Sequence, residues 1–313
     1  MVFSSFLTSV LLLSGSIVEA GLVHRQTQTT KPSKFLFIFG DSYTSTGFNV
    51  SNSPQPSVSN PLGNGGYPGT RTSGGDGWVD VIMKNNSRPG TVVYNFAVVG
   101  DPVNATLVQP TVALPTPIAD YRDQMRAFTS AIGSASSNKI RWNATNSLFI
   151  SYFGINDVSI QVAAGRNTST GQKVLLPDLV DYFNIFGDQY KLGVRKFVLI
   201  LVPPFFRAPV YSYGNSTSAP DVKNLTIWFN SQVKSRAASF RSQYPLANLS
   251  IVDPTPYFNA VLDNPARYGA PNSTCLSYPA GQPCLWHDFA HPGIAIQRTF
   301  GQAMSTGLKS LGF

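Results

Sequence analysis

The apolar residues of this chain fall into two kinds of segment. Five short runs are almost continuously apolar: Lys34–Phe39, Thr91–Phe96, Ser147–Phe153, Lys196–Val202 and Leu249–Asp253. Runs of this length without polar alternation fit strands buried on both faces, as in a parallel sheet. Between them the apolar positions recur at helical spacing. Gly77–Lys84 carries Trp78, Val81 and Ile82, and Ile118–Ile132 carries Ile118, Tyr121, Met125, Phe128 and Ile132. Leu176–Leu192 and Val222–Phe240 read the same way, and a last helix is expected from Gly293 to about Leu308. Strands alternating with helices predict an α/β domain of three layers, α/β/α, around a mostly parallel five-stranded sheet. Phe48–Gly75 and Gly100–Pro117 match neither period. They are expected to be loops at the carboxyl edge of the sheet, where open α/β sheets bind ligands.

The longest apolar run lies ahead of all this, from Phe3 to Val18, and includes Val10, Leu11, Leu12 and Leu13. It is short for a bilayer span. With Val18, Glu19 and Ala20 before a cleavage point, it reads as a signal peptide over residues 1–20, although its start has no Lys or Arg. The alternative is a buried N-terminal helix. Residues 21–33 form a polar linker, and residues 34–313 form one domain. Asn-x-Ser/Thr sequons at Asn49, Asn85, Asn104, Asn143, Asn167, Asn215, Asn224, Asn248 and Asn272 predict a glycosylated, secreted, extracellular protein. Cys275 and Cys284 are the only cysteines, and in an oxidising compartment a disulfide between them is expected.

Charge narrows the function. Glu19 is the only glutamate, so the chain after the predicted signal carries 14 aspartates against 23 lysines and arginines, a net charge of +9. There is no Lys/Arg run and no basic stretch interleaved with aromatics, so no nucleic-acid partner is expected. No segment after residue 20 is apolar enough for a membrane anchor. The missing glutamate pair disfavours a glycosidase, though Asp pairs remain.

The candidate chemistry follows the first run: Gly40-Asp41-Ser42. A serine just past a buried strand sits at the functional edge of the sheet. It could be a nucleophile, or Asp41 or Ser42 could be a helix cap. A serine nucleophile needs a base. Of the three histidines, His24 lies in the linker, which leaves His287 and His291 in Trp286-His287-Asp288-Phe289-Ala290-His291-Pro292. Asp288 and His291, three apart, can pair across one turn and leave the second ring nitrogen for Ser42. The competing use of His287 and His291 as metal ligands has no third ligand in the sequence, and Pro292 suggests that the helix begins after them. Neither metal nor cofactor is expected. Oxyanion donors are available in the Gly100 backbone N–H, after the second run, and the Asn156 amide, after the third.

The ordered blocks G-D-S, N-F-A-x-x-G, G-x-N-D and D-x-x-H resemble those of the SGNH, or GDSL-like, hydrolases, over essentially the whole chain from Phe35. The resemblance implies an SGNH/flavodoxin-like fold with Ser42, Asp288 and His291 as catalytic triad. It also implies an oxyanion hole from Ser42, Gly100 and Asn156. The export signal, Trp78 in G-D-G-W and the cysteine loop look like the fungal acetyl esterases of carbohydrate esterase family sixteen. Two departures stand out: Ser45 replaces the aspartate of G-D-S-x-x-D, and Asp101 follows Gly100 where relatives often have a small residue. Trp78 and Asp101 are therefore expected at the substrate. The implied activity is hydrolysis of short-chain, acetyl-type esters on small molecules or on oligosaccharides derived from plant polysaccharides. A lipase or lysophospholipase on the same scaffold is the alternative, and a non-catalytic carbohydrate-binding protein a further one.

Overall fold

A computed structural model describes residues 31–64, 71–85, 89–109, 118–137, 139–212, 218–279 and 281–313. The predicted signal peptide, most of the linker and Asn215 lie outside these residues. The five apolar runs all become strands: β1 (Lys34–Gly40), β2 (Thr91–Asn95), β3 (Ser147–Tyr152), β4 (Lys196–Ile200) and β5 (Asn248–Val252). All are parallel, in the order β2-β1-β3-β4-β5. β2 and β3 are buried at every position, as their unbroken apolar patterns require.

Among the described residues there are eight helices, in chain order: α1 (Trp78–Asn85), α2 (Tyr121–Ala131), α3 (Ile155–Ala163), α4 (Thr168–Lys191), α5 (Pro209–Ser212), α6 (Ala219–Gln243), α7 (Thr255–Leu262) and α8 (Ile294–Ser310). They pack in two groups, α1 with α7 and α8, and α3 with α4 and α6, and α2 lies on β1. This is the three-layer α/β/α architecture. The α2 side of the sheet is aromatic: Phe37 meets Phe128, Trp142 and Phe149 with ring centroids 4.8–5.5 Å apart. Tilted and edge-on pairs of this kind add to simple burial.

Three helices were not expected: α3, α7 and the single-turn α5. α3 opens inside the G-x-N-D block, and α7 follows β5 directly. α4 also begins eight residues earlier than its periodicity indicated, with Asn167 capping it by accepting the Thr170 N–H at 3.0 Å. Pro177 lies inside that helix.

The topology places the site. The chain leaves β1 for β2 on one side and returns to β3 on the other, so the connection reverses at β1. Loops leaving neighbouring strands diverge at such a point and open a crevice beyond their carboxyl ends.

Candidate active site

β1 ends at Gly40, and the chain turns sharply through Asp41, Ser42, Tyr43 and Thr44. The Thr44 and Ser45 N–H groups donate to the Asp41 carbonyl at 3.1 and 3.0 Å, and the Tyr43 N–H donates to Asp41 Oδ1 at 2.9 Å. Asp41 therefore makes the cap-type bond. Ser42 Oγ makes no hydrogen bond among the described residues, while the Ser42 carbonyl is held by the Thr72 hydroxyl at 2.6 Å. Ser42 is 7% exposed, at the floor of the crevice.

The second half of the site comes from residues 284–293. His287 N–H donates to the His291 carbonyl and Gly293 N–H to the Leu285 carbonyl, both at 2.8 Å, so the segment folds back on itself. Its other flank is tied to the cysteine loop. Cys275 and Cys284 form a disulfide, Ser277 N–H reaches the Trp286 carbonyl, and the buried Trp286 indole donates to the Ser273 carbonyl at 2.9 Å. At the tip, Asp288 Oδ1 accepts the N–H groups of Ala290 and His291 at 2.9 and 2.8 Å. The His291 ring Nδ1 lies 2.8–2.9 Å from both Asp288 oxygens. Such a carboxylate selects the tautomer with the proton on Nδ1 and leaves Nε2 as an acceptor. Burial raises the Asp288 pKa, but the backbone N–H bonds and His291 outweigh it and hold the carboxyl below the usual range.

Three contacts join the halves. The Tyr43 hydroxyl donates to the Ala290 carbonyl at 2.5 Å, and the Tyr43 and His291 rings lie 6.0 Å apart. Gln297, in the first turn of α8, accepts the Trp78 N–H at 3.0 Å and reaches the Tyr43 carbonyl at 3.4 Å. The residues next to Ser42 and next to His291 are thus directly bonded across the fold.

The segments that carry the expected oxyanion donors are hydrogen-bonded to one another through Gln124 and Asp101. Gly100 sits at φ 89°, a left-handed conformation that disfavours a side chain. Among the described residues neither the Ser42 nor the Gly100 backbone N–H donates to another protein group. The Asn156 amide donates to the Asp101 carbonyl at 3.0 Å, next to Gly100, and keeps a second N–H. Gly154 opens α3 at φ 114°, and a Cβ there would lie 2.5–2.6 Å from Val202 and Phe229.

Trp78 and Asp101 do not occupy the positions expected for substrate contacts. Trp78 is fully buried against Phe300, with its indole 3.4 Å from Thr44 Oγ1. Asp101 is 1% exposed and accepts from the Gln124 amide at 2.8 Å. Both are internal supports. The G-D-G-W and V-V-G-D-P patterns mark nearness to the site, which sequence alone does not distinguish from contact with substrate.

The structure adds residues that the motifs did not single out. Gln124 of α2 donates to the Gly40 carbonyl at 2.7 Å and accepts the Gly40 N–H at 3.0 Å, besides holding Asp101. It therefore locks the turn after β1 to the Gly100 loop. Asn95 donates to the Thr44 carbonyl at 2.8 Å and fixes the far end of the turn. Asp157 accepts the Val103 N–H at 2.8 Å and is buried beside Asp178, and burial raises both carboxyls. His287 does not join His291: its ring packs on Tyr278, with Nδ1 3.5 Å from Ser277 Oγ.

The sequence matches the family model described as GDSL-like Lipase/Acylhydrolase over residues 36–303. The chain belongs to this GDSL-like family. An acetylesterase from Thermothelomyces thermophilus is 37% identical over 278 residues, covering 88% of each chain. A thermolabile hemolysin from Vibrio parahaemolyticus is 25% identical over 247 residues, 79% of this chain and 50% of that protein. Among solved structures, an acetyl xylan esterase from Geobacillus stearothermophilus superposes with a TM-score of 0.51 over 91% of this chain and 97% of its own, at 18% identity, a likeness of fold. Membership of the GDSL-like family and the acetylesterase relative make the protein a carboxylic ester hydrolase.

Proposed function

We propose that this GDSL-like hydrolase is a secreted serine esterase that removes short acyl groups, acetyl above all, from oligosaccharides. The observation that carries the reading is the His291–Asp288 pair, joined through Tyr43 to a serine whose hydroxyl and backbone N–H have no protein partner among the described residues. Nε2 of His291 takes the Ser42 proton as Oγ bonds to the ester carbonyl carbon. The resulting oxyanion is met by the N–H groups of Ser42 and Gly100 and by the Asn156 amide. His291 then gives the proton to the departing alcohol. A water molecule, deprotonated by the same imidazole, releases the acid and restores Ser42. Asp288 stays ionised and stabilises the imidazolium.

The acetyl preference is supported by the 37% identical acetylesterase. An oligosaccharide alcohol is supported by a cleft of about 940 Å³ that includes Ser73, Gly74 and His287, with polar and aromatic walls. Secretion, with residues 1–20 as signal peptide and 21–33 as linker, is supported by the disulfide and by the sequons. Of the eight sequon asparagines in the described residues, seven are exposed, while the Asn104 amide is bonded to Asp181. Glycans are therefore assigned to the exposed seven.

One observation favours the lipid-ester alternative. Val98, Val99 and Phe289, beside the oxyanion loop and the acid–base turn, are 45–57% exposed. They offer an apolar lip to a longer acyl chain. A panel of acetylated xylo-, gluco- and manno-oligosaccharides beside phospholipids and p-nitrophenyl esters from acetate to palmitate separates the readings. We expect kcat/KM to be highest for acetates and to fall at least tenfold by the octanoate. A rise towards palmitate would transfer the assignment to lipids.

A further inference from the structure

The 940 Å³ cleft is asymmetric in charge. Its wall includes Arg267, on the short turn Pro265–Tyr268, and Arg298, on α8, and both are exposed. Among the described residues it includes no aspartate or glutamate. Neither guanidinium makes an ion pair or hydrogen bond among the described residues, whereas Arg71, Arg122, Arg126 and Arg207 are each paired with an aspartate. The same walls carry the half-buried Tyr268 and the 63% exposed Tyr278, whose rings can support the faces of sugar rings.

The cleft is walled by segments that are bonded to the candidate active site. Ser73 and Gly74 follow Thr72, whose hydroxyl holds the Ser42 carbonyl, and a Cβ on Gly74 would lie 2.5 Å from the His287 ring. His287 is in turn bonded to the His291 carbonyl through its backbone N–H. An alcohol leaving from Ser42 would extend along this wall.

We propose that the cleft is a subsite for an anionic saccharide, in which Arg267 and Arg298 bind the carboxylate of a uronic acid next to the acylated sugar. This rests on the esterase reading for its link to turnover, but its binding can be measured without turnover. Arginine suits the task because its planar donors match a carboxylate in pairs. Paired ammonium or guanidinium groups at an open site are weakened by salt, which supplies a second signature.

The test uses the full chain carrying Ser42→Ala, titrated calorimetrically with two unesterified xylo-oligosaccharides that differ only in one glucuronosyl branch. We expect the branched ligand to bind about tenfold tighter at low salt. The preference should shrink towards unity by roughly 0.3 M salt. Arg267→Gln with Arg298→Gln should abolish it, and the two Lys replacements should restore part of it. The ratio of the two affinities within one protein controls for any change in folding. Equal affinities at low salt, a preference that survives the double Gln variant, or no binding of either ligand would overturn the subsite. Any of these would leave the esterase reading intact, and absence of acetate turnover would leave the binding result intact.

Discussion

The carboxyl of Asp41 is next to the residue that would meet the oxyanion, and it is wholly buried. Burial, reinforced by the nearby Asp157 and Asp101, raises its pKa from 3.8 to about 8 against the opposing Tyr43 N–H bond. Asp101, next to Gly100, is raised by burial to about 7. Asp41 is thus held as a neutral acid at pH 7, where an ionised carboxylate would oppose a developing oxyanion. Between pH 4 and 8 the folded protein keeps a proton at Asp41 that the unfolded chain releases. The Asp41 contribution to stability is therefore full below pH 4 and is lost as the pH rises through about 8. Asp41→Asn keeps the acceptor for Tyr43 but cannot ionise. Thermal melts from pH 5 to 8 should show a shallower decline in Tm for this variant, with a gain of several degrees at pH 8. Parallel declines for the two proteins would contradict the assignment. At this scale the sequence was informative where chemistry is carried by contiguous blocks, as in Gly40-Asp41-Ser42 and Asp288–His291. Gln124 was invisible for a physical reason. It occupies a buried helical position between Tyr121 and Met125, where the apolar pattern alone was read, although a lone amide on that face is itself a signal.

Among the elements, the strands were the most legible, because burial on both faces leaves no room for polar interruptions. α3 and α7 were not legible. Each is short and starts among Asn, Asp, Thr or Pro, residues that mark turns as readily as helix starts. The element with most bearing on function is irregular: the loop closed by Cys275 and Cys284. It supports Trp286, and with it the turn that presents Asp288 and His291. Replacing both cysteines by alanine should cost about 2–3 kcal/mol through the freed unfolded chain. For a domain of this size that lowers Tm by roughly 4–10 °C. A Tm within 1 °C of the unreplaced protein would show that the turn is held without the bridge.

At the scale of the whole molecule, the fold gathers groups that the chain keeps far apart. Ser42 follows β1, Gly100 follows β2, Asn156 follows β3, and Asp288 and His291 precede α8. Reversal of the chain at β1 puts the first three loops at one crevice, and α8 brings the fourth segment back to it through Gln297 and Tyr43. The order of the blocks indicated a shared edge. Which side chains line it and which lie beneath it, as Trp78 and Asp101 do, depends on helix packing that local patterns do not encode.

If Ser42 and His291 form one catalytic unit, they should fail as one. The most direct measurement is kcat/KM for p-nitrophenyl acetate with Ser42→Ala, His291→Ala and the double variant. The account predicts that each single variant loses at least about 10³-fold and that the double variant loses no more than the worse single one. Losses that multiply, or near wild-type turnover in either single variant, would contradict it.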